Sequence, residues 1–190
     1  MNKKADNKFE TFIIGNKIDL IVLNEKIIKE TNWFRWFNDE DTTYHMQKHY
    51  YPNTIEKQIN FLEKMVKDQT TLQLGIVQKP SFVFCGVTSL NNINLFNRNA
   101  EISLIIGEKK FRNLEIAIEA MDLIIDHAFS TMNLHKISVG YLRSLEQWGN
   151  ILKKTIGFTQ EGVLKEHAFK NGKYIDVINL ALFPENFKKR

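Results

Sequence analysis

The chain has 190 residues, 43% of them hydrophobic and 25% charged, and a formal net charge of +4. That length and balance suit one globular domain over residues 1–190 and exclude a disordered or collagen-like chain. So small a charge does not establish nucleic-acid binding and suits an anionic small molecule equally well.

Cys85 is the single cysteine, so no intrachain disulfide forms and a reducing compartment fits. It sits in an apolar run and reads as a small core residue. No apolar stretch reaches the length of a signal peptide or a membrane span, so the expected location is the cytoplasm. Lys188, Lys189 and Arg190 read as a solvated basic tail.

In chain order, Phe9–Ile14 and Lys17–Leu23 are short strands around Gly15 and Asn16. Asn24 caps a helix whose apolar side ends in Trp33, Phe34, Trp36 and Phe37, residues that either join the core or line a substrate mouth. Asn38, Asp39 and Asp41 stop it. Residues 42–51 are irregular. His45 and His49, four apart, lack a third ligand and read as surface histidines, so no metal is expected. Asn53 and Glu56 form a capping box for a helix ending at Asp68. Thr71–Gln78 and Phe82–Leu90 form a hairpin, and Asn91–Asn99 reads as a loop.

The stretch that organises the chain follows. Ala100–Gly107 is a mostly buried strand, Lys109–Arg112 a basic turn, and 113–131 a helix, apolar except for Glu115, Glu119, Asp122 and Asp126. Steps of four, three and four put those acids on one stripe, expected to face solvent. A basic turn at a buried helix's N-terminus is either an ordinary corner or a place for a phosphorylated ligand. Lys136–Tyr141 is a strand, Leu145–Thr155 a helix stopped by Gly157, and Thr159–Phe169 with Tyr174–Phe183 a hairpin turned by Asn171-Gly172. Strands and helices mixed in this order predict an α+β domain.

The segments Gly86–Arg112, Glu119–Tyr141 and Leu152–Leu182, with the opening Trp33–Thr43 and Tyr51–Thr54, resemble the GNAT acyltransferase superfamily. Within it they look most like the subgroup that includes ribosomal-protein and sugar-nucleotide N-acetyltransferases. The resemblance implies a mixed, mostly antiparallel central sheet flanked by helices. It also implies acetyl-CoA as cosubstrate and a small-molecule amine as acceptor, most of all an amino sugar linked to a nucleotide. A protein N-terminal amine is the next acceptor, and a fold that no longer acylates and serves as a binding module is the alternative. Nucleic acid and membrane are not expected partners. The state is monomer or homodimer, with Val177–Phe183 either core or a dimer edge.

In the family, acetyl-CoA lies in a V-shaped opening between the fourth and fifth strands. The resemblance therefore sets the pantetheine arm along Ile102, Ser103, Leu104, Ile105 and Ile106. The pyrophosphate would meet a turn patterned (Gln/Arg)-x-x-Gly-x-(Gly/Ala), here Arg112, Asn113, Leu114, Glu115, Ile116 and Ala117. Arg112 and Ala117 match, but Glu115 stands where the glycine is expected. Two unit charges ~6 Å apart near a surface repel by roughly 3 kcal/mol at an effective dielectric of about 20, about a hundredfold in affinity. An Asn113 cap would also occupy an amide that a phosphate needs.

For the chemistry, the family's amine attacks the thioester directly while a base takes the ammonium proton and an acid protonates the thiolate. The candidate base is Glu101, otherwise a carboxylate at a strand end, and the candidate acid is Ser144. Asn150 is the remaining cofactor-binding candidate. Glu146 and Gly149 take the places of the family's Asn-x-x-Ser pattern, and Lys153 or Lys154 takes that of its tyrosine. Asp176 and His167 either face the acceptor or are structural.

Overall fold

A computed structural model describes residues 9–190. Its strands are β1 (Thr11–Ile14), β2 (Ile18–Ile21), β3 (Leu72–Gln78), β4 (Val83–Asn94), β5 (Asn99–Ile106), β6 (Lys136–Leu142), β7 (Thr159–Lys170) and β8 (Lys173–Leu182). They make one eight-stranded sheet in the order β1-β2-β3-β4-β5-β6-β8-β7. Every neighbouring pair is antiparallel except β5 and β6, which run parallel. The helices are α1 (Glu25–Glu30), α2 (Trp33–Trp36), α3 (Glu40–Thr43), α4 (Ile55–Lys67), α5 (Leu114–Ser130) and α6 (Glu146–Ile151), the last running on as a π-helical turn, Leu152–Ile156. The α+β class and the mostly antiparallel sheet are as expected.

Alternation along the strands separates two faces. One face carries the large core. Ile102, Ile137, Val139, Tyr141, Ile178 and Leu180 pack there against Ile116, Ala120, Met121, Ile124 and Ile125 of α5 and Leu152 and Ile156 beyond α6. The opposite face carries two separate apolar clusters. Ile21, Val77, Phe84 and Val87 pack under Ile27, Ile28, Trp33, Trp36 and Leu62, while Leu142, Ala168 and Val177 form a small second cluster. Trp33 and Trp36 are therefore core, with Trp36 stacked on Phe84 at 5.3 Å between ring centres.

Several local expectations are corrected. The first helix is broken at Thr31 and Asn32 into α1 and α2, and α3 adds one turn capped by Asp39, which accepts from Thr42 N at 3.0 Å. The cap of α4 is Thr54, which accepts from Lys57 N. The Asn53 amide instead donates to Gln58 Oε1 and Phe34 O, so its side chain is spent on tying α2 to α4. Asn91–Asn94 continue β4 up to the pair Asn94↔Asn99. Asn is a poor strand former, but here its side chains bond across the ladder, as Asn91 Nδ2 does to Glu101 O at 3.4 Å.

The acidic stripe of α5 faces solvent at Glu115, as expected, but its later acids are partly or fully covered. Glu119 accepts the Asn16 and Lys17 amides at 2.5 and 3.0 Å, and Glu115 pairs with Lys17 Nζ at 2.5 Å. Asp122, 8% exposed, pairs with Arg190, and Asp126 with Lys189. The basic end of the chain is thus docked along α5, with Lys188 N bonded to Ile156 O. Gly157, at φ 107°, stops the helix as expected, and Asn171 and Gly172, at φ 52° and 75°, make the β7–β8 turn. No helix among the described residues is long and apolar enough to cross a membrane.

Candidate active site at the parting of two parallel strands

The β5 and β6 strands pair only at Asn99↔Lys136, Ala100↔Ile137 and Glu101↔Ser138. Beyond Glu101 they part, so Ile102–Ile106 faces an opening rather than a neighbouring ladder. The opening lies at the carboxyl ends of two parallel strands, where open sheets tend to bind ligands. Ile102 is buried toward α5, Leu104 and Ile106 pack against the same core, and Ile105 packs on the other face.

On the face away from α5, a polar strip separates the two apolar clusters. It carries Ser89 and Asn91 of β4, Glu101 and Ser103 of β5, and Ser138 of β6. Ser89 Oγ and Ser103 Oγ are 2.7 Å apart, and Asn91 Nδ2 reaches Ser89 Oγ at 3.1 Å. Glu101 is exposed at the last residue of the β5–β6 pairing, and its Oε2 accepts from Asn92 Nδ2 at 3.3 Å.

The turn after β5 forms the lip of the opening. Asn113 caps α5 and takes the Ile116 amide at 3.0 Å, while the Ala117 amide bonds to Asn113 O. That leaves the Leu114 and Glu115 amides as the helix-end donors for an anion. Glu115 is turned toward Lys17 and is 71% exposed. Arg112 folds back on the turn, donating from Nε to Ile106 O at 3.0 Å and from Nη2 to Gly107 O and Thr42 Oγ1 at 3.1 and 2.6 Å. Lys109 pairs with Asp41 at 2.6 Å, a hydrogen bond that raises its pKa, and also with Asp39 at 3.5 Å. Asp39 is held below the usual carboxylate range chiefly by the Thr42 hydroxyl. These cations are already committed to carbonyls and carboxylates, so the basic turn is less of a bare phosphate trap than its sequence implies.

The segment from Asp39 to Tyr50 bridges the mouth. Thr42 touches the β5 side through Arg112, and His45 Nδ1 meets Ser144 Oγ just past β6 at 3.2 Å. Burial, and then the charge of Lys170, lower the His45 pKa. His49 Nδ1 lies 3.2 Å from Thr43 Oγ1 instead of facing His45, and no group of metal ligands occurs among the described residues. Further out, the β7–β8 tip projects past the end of β6, because Leu142 pairs with Val177 and β8 begins at Lys173. Tyr50 and Lys170 tie the bridging segment to it through Phe169 O and Lys48 O. A hollow of about 230 Å³ lies there, lined by Tyr44, Lys48, Tyr50, Phe169 and Lys170 among others. A larger hollow of about 310 Å³ beside Phe12, Leu23, Met65 and Leu72 lies at the other end of the sheet and carries no comparable chemistry.

Asn150 is exposed on α6. Asp176 takes the Glu166 amide at 2.9 Å and Arg143 Nε at 3.0 Å, which hold its carboxyl low and make it structural. Lys153 pairs with Glu146 at 3.5 Å. Gly149 is explained by Tyr141: a Cβ there would lie 2.2 Å from the phenol oxygen. The Tyr141 hydroxyl is buried without a hydrogen-bond partner among the described residues. Burial raises its pKa, and the nearby Glu146 charge raises it further. Sequence reasoning missed the His45–Ser144 contact and the hollow at the hairpin tip. The only signal was aromatic residues at 44, 50 and 51 with no apolar period to explain them.

An opening at the parting of two parallel strands, with a helix N-terminus at its lip, is the architecture of an acyl-CoA-binding transferase fold. Residues 27–159 match the family described as Acetyltransferase (GNAT) domain, and the chain belongs to that family. A spermidine N(1)-acetyltransferase of Escherichia coli (strain K12) is 30% identical over 102 residues, 54% of each chain. A putative ribosomal N-acetyltransferase of Bacillus subtilis (strain 168) is 26% identical over 121 residues, 64% of each chain. The chain thus spans little more than half the length of the first of these relatives. Spermidine N-acetyltransferase from Vibrio cholerae, solved with CoA and spermine, superposes with a TM-score of 0.82 at 20% identity, over 90% of this chain and 98% of that one.

Proposed function

We propose that this chain is an acetyl-CoA-dependent N-acetyltransferase acting on a primary amine of a small molecule. The observation that carries this is the parting of β5 from β6 beyond Glu101, which leaves one strand edge, Ile102–Ile106, for the pantetheine arm. The donor's thioester supplies the activated acetyl group. The Leu114 and Glu115 amides, with the positive end of α5, receive the pyrophosphate. Arg112 braces the turn that presents those amides, and Asn113 and Ile116 are bonded to each other at its start. Ala117 keeps the helix surface low there.

Glu101 is the general base. It is exposed at the root of the opening, on the face where the polar strip admits an amine and water. Ser144 is the proton donor to the leaving thiolate, backed by His45 at 3.2 Å. Among the relatives above, the acceptor named is spermidine, beside one enzyme described as a putative ribosomal N-acetyltransferase, so they favour an amine acceptor in general and lend nothing to a nucleotide-linked amino sugar.

The second reading is a GNAT fold that binds without acylating. The Asn113 cap on Ile116 and the engaged cations favour it, since both take donors that a diphosphate needs. Calorimetry with acetyl-CoA, followed by thiol release with amine panels, decides between them. Micromolar binding with amine-dependent release of CoA supports the enzyme, and absence of both sinks it.

A further inference from the structure

We propose that the hollow at the β7–β8 tip is an acceptor subsite whose Lys48 and Lys170 select an amine bearing an anionic group, a phosphate or carboxylate, over a polyamine. The proposal deepens the acetyl-transfer reading and rests on it for the word acceptor.

Four observations carry it. The hollow adjoins the mouth of the opening, because Tyr44 packs edge-on against His45 at 4.8 Å and His45 meets Ser144. Its wall is aromatic: Tyr44, Tyr50 and Phe169 are each about half exposed, at 51, 58 and 53%, and present ring surface that the fold leaves uncovered. Its charge is positive, with Lys48 and Lys170 among the lining residues against Glu40 as the one carboxylate there. Lys170 is held in place by its bond to Lys48 O, and its charge is felt at His45. A spermidine-like polycation would meet two ammonium groups there. An amine with a remote anion would instead set that anion by the lysines and its body against the rings, leaving the nitrogen toward the mouth, where His45 meets Ser144. Charge-assisted contacts of this kind are among the stronger single polar contacts.

The test is direct binding to the full chain, followed by turnover, with three probes: glucosamine 6-phosphate, glucosamine and spermidine. The phosphorylated sugar is expected to bind about tenfold tighter than glucosamine and tighter than spermidine, with the margin shrinking in 0.5 M salt. Lys48→Gln, at a side chain that anchors no backbone, is expected to erase most of the margin with the melting temperature unchanged. Lys48→Glu is expected to turn the preference toward spermidine. Equal binding of the two sugars, tighter binding of spermidine, no binding of any probe, or a margin untouched by Lys48→Gln overturns the proposal. Binding with the expected order but no acetylation upholds the subsite and overturns the transferase reading.

Discussion

Replacing Glu115 by glutamine isolates what the missing turn glycine costs. From sequence, an unscreened carboxylate in that turn implies a loss of about a hundredfold. The structure argues for far less. Glu115 is 71% exposed, and its charge is paired at 2.5 Å with Lys17 on the β1–β2 turn. With solvent around it, a unit charge ~6 Å from a phosphate is worth about 0.7 kcal/mol at a dielectric near 80, roughly threefold in affinity. Calorimetric titration with CoA is therefore expected to show Glu115→Gln binding about threefold tighter than the parent, the gain disappearing in 0.5 M salt as screening takes over. Lys17→Ala is expected to act in the opposite sense by a similar factor. Glu115→Gly tests backbone approach as well as charge and should gain no more than Glu115→Gln, because the Glu115 amide is already one of the two helix-end donors. A hundredfold gain in Glu115→Gln would refute the screening argument. A gain in Glu115→Gly far beyond Glu115→Gln would show that side-chain bulk, not charge, keeps the phosphate away.

Glu101→Gln should lower kcat by about a hundredfold or more and leave CoA affinity unchanged by titration. Tyr141→Phe removes a buried hydroxyl that has no hydrogen-bond partner among the described residues, so it should raise the melting temperature, by about 2–4 °C for each kcal/mol regained, and retain activity. Gly149→Ala should lose about 1–3 kcal/mol in a denaturant titration, since its Cβ would fall 2.2 Å from the Tyr141 oxygen. Asp176 has its folded pKa depressed by the Glu166 amide and Arg143. Its contribution is thus present above the unfolded carboxyl's pKa of about 3.9 and is lost as pH falls through the lower folded value. Asp176→Asn should be the less stable protein at pH 7, with the gap closing in acid.

What the sequence made legible was local. The run and acid spacing of α5, the Asn171-Gly172 turn and the Gly157 stop each rest on residues within one or two turns, and each stands within a residue or two of its expected place. What it concealed was how distant pieces use the same groups. Past Glu115 the acidic stripe looks solvated until the β1–β2 turn and the chain's end, more than a hundred and some seventy residues away respectively, are brought beside it. Asn53 scores as a cap until Gln58 and Phe34 take its amide. Lys109 and Arg112 look like phosphate ligands until α3 folds over the turn and supplies Asp41 and Thr42. The opening itself leaves little trace in residue pattern, because Ser103 is the one polar side chain of Ile102–Ile106 where β5 parts from β6.

The polar strip bears on whether this site has been kept for use. Between the cluster under α1, α2 and α4 and the cluster at Leu142, Ala168 and Val177, the sheet presents Ser89, Asn91, Glu101, Ser103 and Ser138. Nothing in sheet geometry demands polar residues there, since the same strands place Val87, Ile105 and Leu142 on the same face two or four residues away. Joining the clusters with apolar side chains would add buried area worth about 25 cal/mol per Å². A module needing only the fold makes no demand for polar groups there, whereas a site that must admit an amine and carry off its proton uses them. The strip also lies beside the exposed strand edge rather than elsewhere on the sheet. Stability forgone at the one place where β5 and β6 separate is what a working transfer site requires, and it weighs against the binding-only reading more than the Asn113 cap weighs for it.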